Sequence, residues 1–214
     1  MLKIFRIHCI LVSLMLSVAS CNRSKSGADS KNSQSSTVAN GAKDTIKANL
    51  AANDKNTQLL EDGTVLVVSN SIVENLIGSR QHSTFLTLLE KSSLYKTLSQ
   101  KGPFTVFVPS NDAFEKLDKK KLDKLMTPAG KPELEKILKF HIIVGLLRTR
   151  DLTAGESIST VEGDSLVVII ENGKTKLMDG NGNMVEIITP DILNKNGIIH
   201  LTNGVLIPKG AKLD

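Results

Sequence analysis

The chain has 214 residues, a formal net charge of +5, two cysteines and no tryptophan, and aromatic residues make up 3% of it. This length allows one domain of ordinary size with extra segments, or at most two small domains. Because 40% of the residues are apolar and 23% are charged, the composition provides a core and excludes a wholly disordered chain. The positive charge indicates nucleic-acid binding only if it lies on the folded part of the chain.

The first twenty residues have the pattern of a secretory signal. Lys3 and Arg6 provide a positive start, and residues 10–18 form an almost unbroken apolar run. The run is too short to span a bilayer, for which about 20 residues are needed. Small residues, Ala19-Ser20, follow it directly, as at a signal-peptide cleavage site. The sequence therefore predicts that residues 1–20 are removed during export.

The stretch Leu16-Ser17-Val18-Ala19-Ser20-Cys21 resembles the bacterial lipobox, which places an aliphatic residue three positions before a cysteine and small residues directly before it. The resemblance implies cleavage before Cys21 and attachment of a diacylglyceryl group to its sulfur. The alternative is an ordinary signal peptide cut near Ala19, which leaves Cys21 as a free thiol. Because Cys9 leaves with the signal, we expect no disulfide and no cysteine-based metal or nucleophilic site.

Residues 21–64 are predicted to form a flexible tether that begins at the lipidated Cys21. They are mostly Ser, Asn, Lys, Ala, Gly, Asp and Thr, and this composition buries too little surface to offset the entropy of ordering. Two or three acyl chains anchor a protein stably. We therefore expect a lipid-anchored membrane protein of the bacterial cell envelope, and the sequence leaves open whether it faces the periplasm or the exterior.

The charge becomes small once the chain is divided. Removal of residues 1–20 lowers the net charge from +5 to +3, and residues 65–214 carry 19 basic and 17 acidic residues, a net charge of +2. A domain so close to neutrality lacks the basic surface of a nucleic-acid-binding protein. Residues 116–124 hold five lysines among acidic residues, which we interpret as the solvent face of short helices. Peripheral contact with anionic lipid is the alternative.

Apolar residues recur at helical spacing in the first half of the domain 65–214. Ser83 or Thr84 is expected to cap the second helix of this half. Residues 104–108 predict a short buried strand, and Pro132 suits the first turn of the last helix. The residues that recur at this spacing in the first helices are Val73, Leu76, Ile77, Phe85, Leu86, Leu88, Leu89, Leu94 and Leu98.

After Gly145 the pattern becomes that of β-strands. Apolar runs separated by turn residues predict strands at residues 157–161, 165–170, 175–178, 184–188, 198–201 and 205–207. A mostly N-terminal helical layer against a mainly antiparallel C-terminal sheet predicts the α+β class.

Three blocks carry a family resemblance. Residues 102–114 (GPFTVFVPSNDAF) and 196–208 (NGIIHLTNGVLIP) closely resemble the two signature blocks of fasciclin domains, and residues 138–145 (LKFHIIVG) are similar to the central Tyr-His segment of that family. The resemblance implies a wedge-shaped β-sandwich with a helical layer, and a non-catalytic adhesion or extracellular binding role. The motif positions that it carries over, as mainly structural residues, are Phe104, Thr105, Pro109, Asp112, Phe114, Phe140, His141, Asn196, Gly197, His200 and Pro208.

Phe140 departs from the family pattern, which has tyrosine there. Phenylalanine packs like tyrosine but has no hydroxyl to offer a partner. In animal relatives the Tyr-His segment is linked to integrin adhesion. We therefore do not expect integrin recognition by this protein.

Each motif histidine lies in an apolar run, and we interpret both as buried imidazoles that are hydrogen-bonded to the backbone or to a carboxylate. The alternative places His141 and His200 near a pocket, in an envelope protein that carries or processes a small ligand, or joins them with Asp112 in an acid/base or metal site. No His or carboxylate stands at ligand spacing, and the first turn of a helix explains Asp112. We expect no catalysis, metal or cofactor, and a protein or surface polysaccharide as ligand rather than nucleic acid.

Residues 179–183 (DGNGN) have the composition of a calcium loop. Met184 occupies the position that requires glycine, however, and Pro190 the position that requires a bidentate glutamate. We therefore interpret residues 179–183 as a solvated hairpin turn.

Overall fold

The computed structural model describes residues 57–211, so the expected signal peptide, Cys21 and most of the expected tether lie outside the described residues. Within residues 57–211, no helix is both long and apolar enough to cross a membrane. The helices of this part are α1 (Ile72–Gly78), α2 (Ser83–Glu90), α3 (Leu94–Leu98), α4 (Asn111–Glu115), α5 (Lys119–Leu125) and α6 (Lys131–Phe140).

The strands form a two-stranded and a seven-stranded sheet. β1 pairs with β2, and the large sheet has the order β4-β3-β9-β8-β7-β6-β5. The strands are β1 (Thr57–Leu59), β2 (Val65–Val67), β3 (Phe104–Pro109), β4 (Ile142–Val144), β5 (Ser157–Ser159), β6 (Ser165–Glu171), β7 (Lys174–Met178), β8 (Met184–Asn194) and β9 (Gly197–Thr202).

The two signature blocks contribute two neighbouring strands, the second and third of the large sheet. β3 runs parallel to β9, with Phe104 opposite Gly197 and Pro109 opposite Thr202. The other strand pairs of this sheet are antiparallel. A Cβ atom on Gly197 would lie 2.0 Å from the carbonyl oxygen of Phe104, so the close approach of the two strands requires glycine.

β8 lies between β9 and β7 and so joins the two halves of the large sheet, β4-β3-β9 and β7-β6-β5. Its first residues pair with β7 and its later residues with β9, and the register shifts between Ile187 and Thr189 and again between Thr189 and Ile192. Such bulges bend a strand and increase its twist. One cluster of buried apolar residues joins the helices to β3 and β9, and a second cluster includes Phe107 and Phe140 together with residues of β6, β7 and β8.

The helical predictions are largely confirmed. Helix α6 buries Leu134, Ile137 and Leu138, which share one face because they are spaced three and four residues apart. Ser83 does not cap α2, since it is the first helical residue and His82 precedes it without a capping hydrogen bond. Ile77 has the same helical spacing but is 59% exposed, because it lies about a third of a turn from the centre of the buried face of α1.

The tether prediction is wrong for residues 57–64, which belong to the folded domain. Residues 57–59 pair with residues 65–67, and Leu60 is buried. The turn explains the hairpin, because the Asp62 carboxylate accepts hydrogen bonds from the backbone N–H and the hydroxyl of Thr64 at 2.9 and 2.8 Å. Gly63 follows with a φ of 83°, which glycine adopts without strain. The pair Asp62-Gly63 is a hairpin signal that composition alone concealed.

The predicted strand at residues 205–207 is also wrong. The backbone N–H of Leu206 donates to Nε2 of His141 at 3.1 Å, and that of Ile207 donates to Oδ2 of Asp179 at 3.0 Å. Both donors are therefore taken by buried side chains rather than by a neighbouring strand. The segment is a short run of buried apolar residues. Such a run is also what the sequence of a buried strand looks like, which is why the sequence predicted a strand here.

Candidate binding surface

The loop after β4 is held by a residue of the first signature block. The buried hydroxyl of Thr105 donates to the carbonyl oxygen of Gly145 at 2.8 Å and accepts from the N–H of Leu147 at 2.9 Å. The N–H of Gly145 donates to the carbonyl oxygen of Pro103 at 3.0 Å. One side chain and one backbone group of this block therefore fix both sides of Leu146.

A residue of the second signature block holds the same loop. His200 is fully buried, with Nε2 at 2.8 Å from the carbonyl oxygen of Leu147 and Nδ1 accepting from the N–H of Asp191 at 3.2 Å. Because a carbonyl only accepts and an N–H only donates, His200 is the neutral tautomer with its proton on Nε2. Burial lowers the pKa of His200, which keeps it in this form. Its ring stacks on Phe107, with 5.4 Å between the ring centroids.

Asp191 extends this chain of hydrogen bonds to the far side of the loop. It lies in the irregular part of β8 with a φ of 59°, a conformation that aspartate tolerates better than most residues. Its carboxylate accepts hydrogen bonds from the backbone N–H of Thr149 at 2.9 Å and from the Thr149 hydroxyl at 2.5 Å. The segment from Gly145 to Thr149 is therefore fixed at both ends by buried or half-buried groups.

This loop presents two exposed apolar side chains. Val144 is 72% exposed and Leu146 is 60% exposed, the highest values for large apolar residues within the part of the chain that the structure describes. Val144 ends β4, which is an edge strand of the large sheet. Since the backbone is fixed around them, neither side chain is free to fold inward. We call Val144 and Leu146 the apolar patch.

His141 joins the helical layer to the C-terminal segment. It is 1% exposed, with Nδ1 at 2.8 Å from the carbonyl oxygen of Ile137 and Nε2 accepting from the N–H of Leu206 at 3.1 Å. His141 is therefore the neutral tautomer with its proton on Nδ1, the opposite of His200. Burial lowers the pKa of His141 to about 4. The interpretation of both histidines as buried, backbone-bonded residues agrees with this geometry.

Phe140 has no access to solvent. Its ring is 0% exposed and belongs to the second cluster of buried residues. It contributes packing and presents no group to a ligand. Among the later residues of the central segment, 141–145, Val144 is the exposed one.

Asn196 connects three separate segments through one buried amide. Its Oδ1 accepts from the N–H of Ile72 at 2.9 Å, and its Nδ2 donates to the carbonyl oxygens of Leu98 at 2.7 Å and Gln100 at 2.8 Å. It thereby caps the start of α1 and ties the end of α3 to β9. All the hydrogen-bonding capacity of this side-chain amide except one lone pair is used within the protein.

The other motif residues have structural positions. Phe104 and Phe114 pack in the first cluster, and Pro109 and Pro208 are buried. Asp112 is exposed in the first turn of α4, as expected. Within residues 57–211 no hydrogen bond links Asp112 to either motif histidine, and no group of three His, Cys, Asp or Glu residues there could hold a metal ion. The structure brings Thr105 and His200 together at the loop and leaves Asp112 outside it.

Comparisons with known proteins agree with this arrangement. Residues 80–208 match the fasciclin domain. The chain belongs to the fasciclin domain family. It is 33% identical over 138 residues to Protein sll1483 of Synechocystis, which covers 64% of this chain and 73% of that protein. It is 29% identical over 152 residues to human periostin, covering 71% of this chain but only 17% of periostin.

The fold has a counterpart among solved structures. A fasciclin-domain pair from the insect cell adhesion molecule Fasciclin I matches with a TM-score of 0.55 and 22% identity, covering 66% of this chain and 52% of that one. This likeness confirms the predicted fasciclin fold and its α+β class. Because the chain spans a small part of periostin and about half of the Fasciclin I chain, the activities of those whole proteins do not transfer to it directly.

One buried anchor of this fasciclin domain escaped the sequence analysis. Asp179 is 5% exposed, and its carboxylate accepts from the N–H groups of Asn181, Asn183 and Ile207 and from the Asn183 side-chain amide, at 2.8 to 3.1 Å. The turn after β7 is therefore held by a buried carboxylate and is not simply solvated. The sequence does carry a signal for this role, because an aspartate in a turn often accepts a hydrogen bond from the backbone N–H two residues later, here that of Asn181.

The small-ligand alternative loses its structural basis. It required His141 and His200 to lie beside a pocket, but both are buried and both ring nitrogens of each are bonded to backbone groups. Four open cavities within residues 57–211 are lined by other residues. Neither histidine is placed to exchange a proton with a bound molecule.

Proposed function

We propose that the protein is a non-catalytic adhesion or binding module of the bacterial cell envelope, held on a membrane through lipidated Cys21. The family supports binding, since its relatives include the insect cell adhesion molecule Fasciclin I. Bacterial relatives such as Protein sll1483 support a bacterial setting. The lipobox-like stretch that ends at Cys21 supports the anchor. Many copies on one membrane would raise the total strength of attachment above that of each contact.

The apolar patch is the observation that carries the binding role. Thr105 and His200 are buried residues from two distant motif blocks, and both form hydrogen bonds with the loop after β4. The exposed side chains at this loop, Val144 and Leu146, are apolar. A fold gains nothing in stability by exposing Val144 and Leu146 to water. A protein surface that covers them would recover this burial, and the preordered loop reduces the entropy lost on binding.

Replacing both patch residues, Val144→Ser and Leu146→Ser, is expected to reduce ligand-dependent attachment of cells about tenfold, since anchors at an interface core are each worth more than about 1 kcal/mol. Attachment of bacteria that display the variant is measured on several protein-coated surfaces. Ile77→Ser is the matched control, because Ile77 is 59% exposed on α1. Equal attachment by the double variant and the control, with unchanged thermal unfolding, would count against the proposed surface.

The anchor is tested by Cys21→Ser. We expect this variant to lose incorporation of labelled fatty acid and to leave the membrane fraction, because the cysteine of the lipobox-like stretch, which takes the diacylglyceryl group, is absent. Cys9→Ser is the control, since Cys9 lies within the predicted signal and is expected to leave the protein with it. A Cys21→Ser protein that keeps its lipid label contradicts the assignment.

A further inference from the structure

The parallel pairing of β3 with β9 places two lysines at the same end of the sheet. Lys101 lies three residues before Phe104, and Lys195 lies two residues before Gly197, the partner of Phe104. A cavity of about 400 Å³ lies at this end. Its lining residues are Ser71, Glu74, Ser99, Gln100, Lys101, Lys195 and Asn196. These side chains carry ammonium, carboxylate, amide and hydroxyl groups, so the cavity offers polar contacts to a ligand.

Three groups of this lining have hydrogen-bond donors to offer. Within residues 57–211, the ammonium groups of Lys101 and Lys195 make no ion pair within 4.0 Å, and the side-chain amide of Gln100 makes no hydrogen bond. The backbone around them is fixed, because Asn196 binds the carbonyl oxygen of Gln100 and the N–H of Lys195 donates to Asn70. The donors are therefore attached to an ordered frame.

The same lining also offers acceptors. The Glu74 carboxylate accepts from the N–H of Ser71 at 2.6 Å. This backbone hydrogen bond, the Ser71 hydroxyl and the charge of Lys195 lower the pKa of Glu74, so the carboxylate is ionised at neutral pH. The hydroxyl of Ser99 donates to Tyr95 and keeps its lone pairs available. The cavity thus combines two cations, one anion and neutral polar groups, with a net charge of +1.

We propose that this cavity binds an acidic sugar, a uronic acid unit of a surface polysaccharide. Its carboxylate pairs with the ammonium groups of Lys101 and Lys195, and its hydroxyls donate to Glu74 and accept from the amide of Gln100. Glu74 is unfavourable for phosphate and other groups that carry more than one negative charge on a single centre, because its like charge beside the site opposes them more than it opposes one carboxylate. It favours a ligand that carries many hydroxyl donors around a single charge. A volume of about 400 Å³ lies within the range of small-ligand sites.

The cavity adds a ligand class to the proposed binding function and shares no residue with the apolar patch. The two proposals are therefore tested by different variants. If the patch variants attach normally while the lysine variants lose sugar binding, the proposed patch is wrong and the proposed cavity stands. The opposite pair of results contradicts the cavity and supports the patch. Repeated uronic acid units along one chain would engage several copies of the protein at once.

The test measures binding of fluorescent oligogalacturonate by the full chain, purified in detergent, with a neutral glucose oligomer of equal length as reference. Combined Lys101→Gln and Lys195→Gln is expected to weaken oligogalacturonate binding about tenfold or more, because two charge-assisted hydrogen bonds are lost. The matched control is Lys91→Gln with Lys131→Gln, two lysines that line a different open cavity. It removes the same charge and is expected to change binding less than about twofold.

Glu74→Gln separates an acidic sugar from a general anion. Glutamine preserves the capping box at the start of α1 but removes the charged acceptor. We expect weaker binding of oligogalacturonate by this variant, since a sugar hydroxyl loses its charged partner. The proposal is overturned by stronger binding in Glu74→Gln, by polyphosphate binding equal to that of oligogalacturonate, by equal losses in both lysine pairs, or by no preference over the neutral oligomer.

Discussion

Gly197→Ala is expected to destabilise the fold by about 3 kcal/mol or more, because overpacking against a rigid backbone is costly. The new Cβ would lie 2.0 Å from the carbonyl oxygen of Phe104 and 2.9 Å from Cδ1 of Ile72. Relief of this clash requires β3 and β9 to separate at the end where both strands begin. The free energy of unfolding is measured by urea titration followed by circular dichroism.

Gly78→Ala is the matched control for this substitution. Gly78 ends α1 without a positive φ, and a methyl group added there would have no atom within 4 Å. Alanine is a better helix former, so we expect a change of less than about 1 kcal/mol, in the stabilising direction. Similar midpoints for the two variants would contradict the close packing between β3 and β9.

Acidification is expected to destabilise the protein through His141. The pKa of His141 falls from 6.5 to about 4 on folding, so above 6.5 the residue is neutral in both states. Between these values the unfolded chain binds a proton that the folded protein does not, and stability falls as the pH falls. This shift corresponds to about 3 kcal/mol, lost progressively down to about pH 4. The lowered pKa of His200 acts in the same direction.

The free energy of unfolding, measured by urea titration from neutral pH down to about 4, tests this expectation. His141→Gln is the comparison, because a glutamine amide also carries one donor and one acceptor and does not titrate. We expect the variant to be less stable at neutral pH but to lose less stability on acidification. Parallel pH profiles for the two proteins would show that His141 does not carry the effect.

Local sequence patterns were sufficient to predict the family and most of the helices. The spacing of Leu134, Ile137 and Leu138 identifies the buried face of α6, because that face is defined within two turns of one helix. The pair Asn172-Gly173 is likewise a turn signal in the sequence, and both residues have positive φ in the structure. Such features depend on neighbouring residues, whose chemistry is visible in a short stretch of sequence.

The sequence pattern of buried residues led to wrong predictions where the hydrogen-bond partner of a segment is distant in the chain. Residues 205–207 were predicted as a strand because they are apolar, yet their N–H groups are bound by Asp179 and His141, which lie 28 and 65 positions from their partners. Asp179 itself was interpreted as a solvated turn residue for the same reason. A sequence pattern shows that a segment is buried but not which side chain completes its hydrogen bonds.

The sequence by itself located the positive charge: a net charge of +5 becomes +2 on the domain 65–214, so we expect no nucleic-acid-binding surface there. The motif blocks alone determined the fasciclin family. Only the tertiary structure decided that Thr105 holds Leu147, 42 positions away, and that Lys101 and Lys195 line one cavity. Hydrogen bonds and cavities depend on distances between remote side chains, and those distances exist only after the chain has folded.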